Sequence, residues 1–444
     1  MREVQDGGDV KRWTAKRRSA LPDLTVHDFI ASAVLGGIET EGAGRTDPDL
    51  VRRFRRRFQQ LTGPVMAKSL EDTLFYRYVR LLSLNEVGGD PAHFGGTLPA
   101  FHRANAERME AWPDAMIASA THDTKRGEDA RGRLHALSEM PEDWRDAVEL
   151  FESIAAPHVQ ALDGEEAPDA NDRYLILQAL LGAWPVELLD ERTAPEAADA
   201  FRERIEGFVL KALREAKRHT SWVHGNEAYE NAATGLVGAL LDPEGAFLRE
   251  LRPLARRLAF LGMLNGLART ALKTTLPGVP DIYQGTEFWD YSLVDPDNRR
   301  PVDYDARLRG LEGGGAMPDL LQHWRDGRVK QALLARILAD RAAHPALHAD
   351  GDYRPIEAPE GVVAYARSLG EDALVVAVPR LLAGRIEGET LPVPGELWGD
   401  AALPLPGGAW HDILTGREVQ ARDGRVPLAE LFGDFPIALL RARA

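Results

Sequence analysis

The stretch Met116-Ile117-Ala118-Ser119-Ala120-Thr121-His122-Asp123-Thr124-Lys125-Arg126 decides how this chain folds. It starts with apolar and small residues and then turns polar, which predicts a buried strand over 116–120 that ends in a polar loop. A second short strand with a similar ending is predicted around Gly278-Val279-Pro280-Asp281-Ile282-Tyr283-Gln284-Gly285. Between the two strands lie about 150 residues of helical pattern, far more than an ordinary loop contains. We therefore expect a helical subdomain inserted between the two strands.

The two flanks of this core have different patterns. Upstream, the apolar residues Leu70, Leu74, Tyr78, Leu81 and Leu82 have helical spacing. They predict a helix that ends before the turn at Gly88-Gly89-Asp90-Pro91. After Ala343 the period changes to two, in short runs between glycines and prolines. These runs cover 362–366, 373–378, 389–393, 411–414 and 436–440. Their spacing predicts an antiparallel β-sandwich of about 100 residues.

Composition excludes several classes of protein. The chain has 69 acidic and 54 basic residues and a net charge of −15, so nucleic acid and anionic membranes are not expected partners. The absence of cysteine excludes disulfides, thiolate metal sites and a cysteine nucleophile. The sequence starts without the apolar segment of a signal peptide and has no run of about eighteen apolar residues, which predicts a cytoplasmic location.

An arginine run occupies residues 52–57, beside Phe54 and Phe58. Such a run could bind RNA or could form the solvated face of a helix. The acidic charge of the whole chain favours the solvated face.

The pair His122-Asp123 is the first candidate for chemistry. At the end of a barrel strand, an aspartate can contact a sugar ring while the neighbouring imidazole donates to a hydroxyl. The structural alternative is that Asp123 caps the following helix while Lys125 and Arg126 pair with Glu128 and Asp129. The spacing alone leaves both interpretations open.

Three further groups of residues each have more than one interpretation. Aromatic and amide residues from Tyr283 and Gln284 to Trp289 suit a carbohydrate cleft, because aromatic faces stack on sugar rings, but they could equally pack beneath a loop. Asp295-Pro296-Asp297-Asn298-Arg299-Arg300 could bind calcium, although two adjacent cations favour an ion-paired turn. Glu86 could be an acid, although a glutamate beside a turn needs no such role.

Several longer strings carry a family resemblance. They are Thr62-Gly63-Pro64-Val65-Met66-Ala67-Lys68, Glu71-Asp72-Thr73, Phe75-Tyr76-Arg77-Tyr78, Ser83-Leu84-Asn85-Glu86-Val87-Gly88-Gly89-Asp90-Pro91, Thr121-His122-Asp123-Thr124-Lys125-Arg126, Pro277-Gly278-Val279-Pro280-Asp281-Ile282-Tyr283-Gln284-Gly285-Thr286-Glu287 and Leu293-Val294-Asp295-Pro296-Asp297-Asn298-Arg299-Arg300-Pro301-Val302-Asp303-Tyr304. In this order they resemble the maltooligosyltrehalose synthase family of the α-amylase clan, from about Phe58 to the C-terminus.

The resemblance implies an α/β fold: the C-terminal part of an amylase-type (β/α)8 barrel with a large helical insertion, followed by an all-β sandwich domain. The implied organisation is a remnant of the helical insertion over 1–60, a barrel segment ending in the His-Asp strand over 61–126, a helical subdomain over 127–265, the last barrel strand and helices over 266–343, and the β-sandwich over 344–444.

The resemblance also implies an activity, in which the reducing-end α-1,4 bond of a maltooligosaccharide becomes an α,α-1,1 bond. Asp123 would stabilise the transition state, without a metal or cofactor. The implied substrate-binding residues are His122, Lys125, Arg126, Tyr283, Gln284, Lys68 and Asp72.

One departure from the family pattern matters. The clan carries its nucleophile in a Gly-x-Arg-x-Asp strand and its acid/base on the next strand, and neither precedes His122 here. The near-match Gly44-Arg45-Thr46-Asp47 follows no apolar strand. We therefore expect a truncated enzyme that is inactive alone and needs the missing N-terminal half of the barrel as a partner. The alternatives are a related glucanotransferase or glucosidase, and a non-catalytic α-glucan-binding or scaffold protein.

Overall fold

A parallel two-stranded ribbon joins the two predicted strands. In the computed structural model, which describes residues 25–37, 47–190, 195–391 and 395–442, β1 (Met116–Ile117) lies parallel to β4 (Val279–Pro280). Met116 is opposite Val279, and the Asp281 amide donates to the carbonyl of Ile117 at 2.9 Å. The ribbon is shorter than the predicted strand, but its parallel direction brings both polar loops to the same end.

The segment Met1–Leu74 forms a unit of its own. Its described helices are α1 (Thr25–Leu35) and α2 (Pro48–Met66), and a π-helical turn, Ala67–Glu71, follows. The arginine run lies on α2, where most of its side chains are exposed, so the interpretation as a solvated helix face is confirmed. Asp47 is the N-cap of α2, since its carboxylate accepts the Asp49 amide at 2.9 Å.

Helices fill the chain between the two strands, as the sequence pattern predicts. After α3 (Leu98–Ala111) and β1 come α4 (Glu128–Leu137), α5 (Pro141–Ala155), α6 (Ala170–Ala183), α7 (Pro195–Ala216), α8 (Glu227–Leu240) and the long α9 (Ala246–Thr275); the hairpin β2 (Gln160–Leu162) and β3 (Glu165–Ala167) precedes α6. An aromatic cluster is buried at their centre. The Trp184 ring lies 5.9 Å from Phe247 and 6.4 Å from Phe201. Burial of these rings stabilises the packing of the helices.

A six-stranded antiparallel sheet forms the C-terminal part, in the order β10-β9-β12-β7-β6-β5. Its strands are β5 (Asp352–Ile356), β6 (Val362–Leu369), β7 (Asp372–Pro379), β9 (Gly408–Asp412), β10 (Glu418–Ala421) and β12 (Ala438–Ala442). A separate pair consists of β8 (Ala402–Pro404) and β11 (Arg425–Pro427), with α14 (Leu428–Leu431) after it. Whether these sheets make the predicted sandwich stays a prediction.

Four helices precede this sheet: α10 (Tyr304–Gly313), α11 (Met317–Gln322), α12 (Arg328–Ala343) and α13 (Pro345–Asp350). The sheet is tied to them and to α9. The buried Arg367 of β6 donates to the carbonyls of Gly351 at 2.9 Å and Thr275 at 3.2 Å. Arg441 of β12 donates to both carboxylate oxygens of Asp340, at 2.9 and 2.8 Å.

Two sequence predictions fail in detail. The helix predicted over Leu70 to Leu82 is wrong, because the π-helical turn ends at Glu71 and only the short 3-10 turns Leu74–Tyr76 and Leu82–Leu84 form after it in this range. The Asn85 side chain donates to the carbonyls of Phe75 and Tyr78, at 2.8 and 2.7 Å, in place of backbone amides. The strand predicted over 389–393 is also absent from its described residues, 389–391.

Within the described ranges, no helix has both the length and the apolar character to cross a membrane.

Candidate functional site

Asp123 lies in a tight turn over residues 121–124, in the loop that follows the end of β1 at Ile117. Its amide donates to the Thr121 hydroxyl at 3.2 Å, and the Thr124 hydroxyl donates to the Thr121 carbonyl at 2.9 Å. The turn leaves the Asp123 side chain 49% exposed and His122 exposed. A short polar turn of this kind presents a carboxylate to a ligand without burying its charge.

The capping alternative for Asp123 is wrong. The N-cap residue of α4 is Gly127, and no side chain caps that end. The predicted partners of Lys125 and Arg126 are wrong as well. Lys330 of α12 holds both Glu128 and Asp129, at 2.7 Å each.

Lys125 and Arg126 are buried beneath the turn. The Lys125 ammonium lies 3.4 Å from both the carbonyl and a carboxylate oxygen of Asp123. The Arg126 guanidinium donates to the Leu82 carbonyl at 3.3 Å and lies over the Phe208 ring. Burial lowers the pKa of Arg126 to about 10, against the opposing pull of Tyr76 and Glu86. Lys125 can therefore act on Asp123 directly, whereas Arg126 supports the loop from below.

Glu86 fixes the backbone of this loop. One of its carboxylate oxygens accepts the Lys125 amide at 2.7 Å and the Val87 amide at 2.9 Å. The other accepts the Arg126 amide at 3.3 Å and lies 3.6 Å from Arg131. The sequence suggested Glu86 only as a possible acid. Its contacts with the loop could not be predicted, because the carboxylate and the amides that it accepts are about forty residues apart. Its place in the structure is that of a positioning residue.

Asn298 joins the two polar loops. Its amide nitrogen donates to the carbonyls of Thr121 and Thr124, at 3.4 and 3.3 Å. Its own carbonyl accepts the Tyr283 hydroxyl at 3.2 Å. The neighbouring Arg299 donates to the His122 carbonyl, at 3.1 and 3.2 Å. Tyr283 and the His-Asp turn are therefore attached to the same short segment, Asp297–Arg299.

Ion pairs hold that segment in place, so the ion-paired interpretation of residues 295–300 is confirmed. Arg204 of α7 binds both carboxylate oxygens of Asp297 at 3.0 Å, and Lys211 binds Asp295 at 2.7 Å. Bidentate pairs of this kind are specific in geometry, and they attach the segment to the helical part of the chain.

A cavity of about 390 Å³ opens beside Tyr283 and Gln284. Trp289, Asp290 and Asn298 also line it. Its described lining residues do not include His122, Asp123, Lys125 or Arg126. The structure thus brings the two groups of predicted residues to one segment but not into one cavity.

The two remaining predicted site residues, Lys68 and Asp72, belong to the N-terminal unit. They form an ion pair one helical turn apart, with Lys68 largely exposed.

A possible set of metal ligands lies elsewhere, at the start of α6. Asp169, Asp172 and His219 offer atoms within 4.8 Å of one another. Each has a partner already: His219 bonds Asp169 at 2.9 Å, and the Tyr229 hydroxyl donates to Asp172 at 2.6 Å. Since Asp169 also accepts the Asp172 amide at 2.9 Å, we interpret the group as a hydrogen-bonded helix cap.

Comparison with known proteins gives consistent results. No protein-family model matches the chain. A Mycobacterium tuberculosis protein, provisionally named maltooligosyl trehalose synthase, is 40% identical over 391 residues, which are 86% of this chain and 45% of that protein.

Solved structures extend the comparison. The maltooligosyltrehalose synthase of Arthrobacter ramosus matches 97% of this chain and 50% of its own, with 35% identity and a TM-score of 0.74. Another crystal structure of a maltooligosyl trehalose synthase matches 90% of this chain and 50% of its own, with 29% identity and a TM-score of 0.72. The chain therefore spans about half the length of the relatives that it matches.

Proposed function

Because this chain is a homologue of the maltooligosyltrehalose synthases over about half of their length, we propose that it supplies the transition-state-stabilising half of such an enzyme. The assembled enzyme would convert the reducing-end α-1,4 bond of a maltooligosaccharide into an α,α-1,1 bond. The observation that carries the proposal is the half-exposed Asp123 carboxylate in the loop that follows a parallel strand, on a turn that Glu86 and Asn298 hold by its backbone.

In this proposal Asp123 acts electrostatically. Positive charge develops on the sugar ring as the glycosidic bond breaks, and a carboxylate fixed beside the ring stabilises that charge. His122, exposed beside it, donates to a ring hydroxyl. Lys125, whose ammonium lies 3.4 Å from the Asp123 carboxylate, orients it. A nucleophile and an acid/base come from the other half of the enzyme, because a retaining reaction needs both.

Tyr283 and Gln284 would bind the released glucose on the neighbouring side. The cavity that they line, about 390 Å³, suits a hexose unit and carries both an aromatic face and hydrogen-bonding groups. Holding this glucose in place favours its return to the glycosyl-enzyme over attack by water.

The ribbon supports the need for the other half of the enzyme. A two-stranded parallel ribbon is short of neighbours, since parallel sheets are normally covered on both faces and extended at both edges. Here Met116 is 70% and Val279 46% exposed. We propose that further parallel strands from the partner half pair with β1 and β4.

The test is complementation. The chain is mixed with the half of the Arthrobacter ramosus enzyme that it does not match, and each part is also incubated alone with maltopentaose. We expect non-reducing trehalosyl product from the mixture and none from either part. Product from this chain alone would contradict the two-half proposal, and maltopentaose binding to the mixture without turnover would favour the glucan-binding alternative.

A further inference from the structure

An exposed apolar stripe runs along α2, in the N-terminal unit. Phe54, Phe58, Leu61 and Val65 are all exposed, and Leu61 (61%) and Val65 (53%) are the most open. The spacing from Val51 through these residues alternates three and four, as in the a and d positions of a heptad. A helix normally buries such a stripe against another element.

Charge distinguishes α2 from an ordinary surface helix. Five of its nineteen residues are arginines, at positions 52, 53, 55, 56 and 57, and its single carboxylate is Asp49. Arg53 and Arg57 flank the stripe beside Phe54 and Phe58, whose rings lie 5.9 Å apart. The stripe thus has an apolar centre and a positively charged border.

We propose that this stripe is a docking surface for an amphipathic helix with an apolar face bordered by aspartate and glutamate. The apolar residues would pack at heptad spacing, and the acidic border would pair with the arginines. A second copy of this chain is a poor occupant, because two α2 helices would set arginine rows against each other. RNA and anionic membranes are disfavoured by the net charge of −15.

The proposal is independent of the enzymatic one and is tested on the whole chain. The probe is a fluorescent three-heptad peptide with leucine at a and d and glutamate at e and g. The comparison peptide is identical except that it carries lysine at e and g. We expect the glutamate peptide to bind at least about tenfold more tightly, as a few charge pairs of modest energy imply. Added salt should weaken the binding.

Variants distinguish specific docking on the stripe from nonspecific hydrophobic binding. Phe58→Ser with Leu61→Ser should abolish peptide binding, whereas Leu311→Ser, at an exposed leucine of α10, should not. Arg53→Glu with Arg57→Glu should reverse the preference, so that the lysine peptide binds better. Circular dichroism verifies that each variant is folded.

Three results would overturn the proposal. Equal binding of the two peptides would show that charge has no role. Self-association of the unmodified chain would identify a second copy as the occupant, if the double variant Phe58→Ser, Leu61→Ser no longer self-associates. Binding to phosphatidylglycerol vesicles or to oligo-uridine, with no binding of the glutamate peptide, would assign the surface to a membrane or to RNA.

Discussion

At the scale of single residues, Asp123 carries the chemistry that we propose. Asp123→Asn keeps the shape of the side chain and removes its charge. In the complemented enzyme we expect activity to fall about a hundredfold or more, the usual loss when one preorganised electrostatic group is removed. The measurement is initial rate on maltopentaose, with Asp305→Asn, an exposed carboxylate of α10, as the matched control. Turnover within a few-fold of the unmodified enzyme would remove Asp123 from this role.

Glu86 acts on the same loop without touching a substrate. Glu86→Ala leaves the amides of Lys125 and Arg126 without their acceptor, which costs about 1–3 kcal/mol locally. We expect faster hydrogen exchange at these two amides, measured by NMR or mass spectrometry on the chain alone. Glu360→Ala, at an exposed glutamate, is the control. Unchanged exchange in Glu86→Ala would mean that the loop is held by its other contacts.

At the scale of elements, a buried charge cluster joins α4, α9 and α12. Lys330 lies 2.7 Å from both Glu128 and Asp129, and Arg269 of α9 lies 2.6 Å from Asp129. Glu128 also accepts a hydrogen bond from Ser119, just after β1, and Lys273 lies 2.7 Å from that hydroxyl. This cluster therefore ties the end of the strand to three helices.

Removing its central cation should destabilise the fold. Lys330→Met leaves two carboxylates buried with less compensation, and we expect the free energy of unfolding to drop by about 3–5 kcal/mol. Urea titration followed by circular dichroism measures the drop. Arg354→Met, which breaks an exposed ion pair with Asp352, should change little. A similar effect of both variants would contradict the role of the cluster.

The same cluster predicts how stability depends on pH. Although burial opposes it, the cations Lys330, Arg269 and Lys273 hold the pKa of Glu128 well below its usual 4.5. A lowered folded-state pKa means that the unfolded chain binds the proton more tightly. The contribution of ionised Glu128 to the free energy of unfolding is therefore complete above pH 4.5, and it is lost as the pH falls from there toward the folded-state pKa. Urea titrations from pH 6 to 3 should show that the free energy of unfolding falls less steeply in Glu128→Gln than in the unmodified chain. Parallel curves of the two proteins would contradict this prediction.

At the scale of the whole molecule, the ribbon predicts where assembly occurs. Met116→Asp and Val279→Asp place charge on the exposed side chains of β1 and β4, so partner strands would have to bury it. We expect the affinity for the complementary half to fall about tenfold or more, by at least 1.4 kcal/mol. Sedimentation velocity measures the complex, and Leu311→Asp is the control. Because both residues are already exposed, the stability of the chain alone should change little.

Short-range signals in the sequence predicted much of this protein. The abrupt change from apolar to polar residues located both parallel strands, although the first ends at Ile117 rather than at residue 120. Helical periodicity located the helices between them, and period-two runs located β6, β7, β9 and β12, four of the eight described C-terminal strands. The length of the parallel ribbon, and which predicted site residues line the cavity, could not be predicted in this way. The ribbon is two residues long, and Tyr283 reaches the His-Asp turn only through Asn298.

Contacts between residues that are distant in sequence were decided only by the tertiary structure. The sequence determined that a carboxylate lies in the polar loop after a strand, because that depends on adjacent residues. It could not assign Glu86 to the Lys125 amide, Asn85 to the carbonyls that break the predicted helix, or Lys330 to Glu128, some two hundred residues away. Each of these side chains satisfies a buried polar group, and which group it meets is fixed by packing rather than by local pattern.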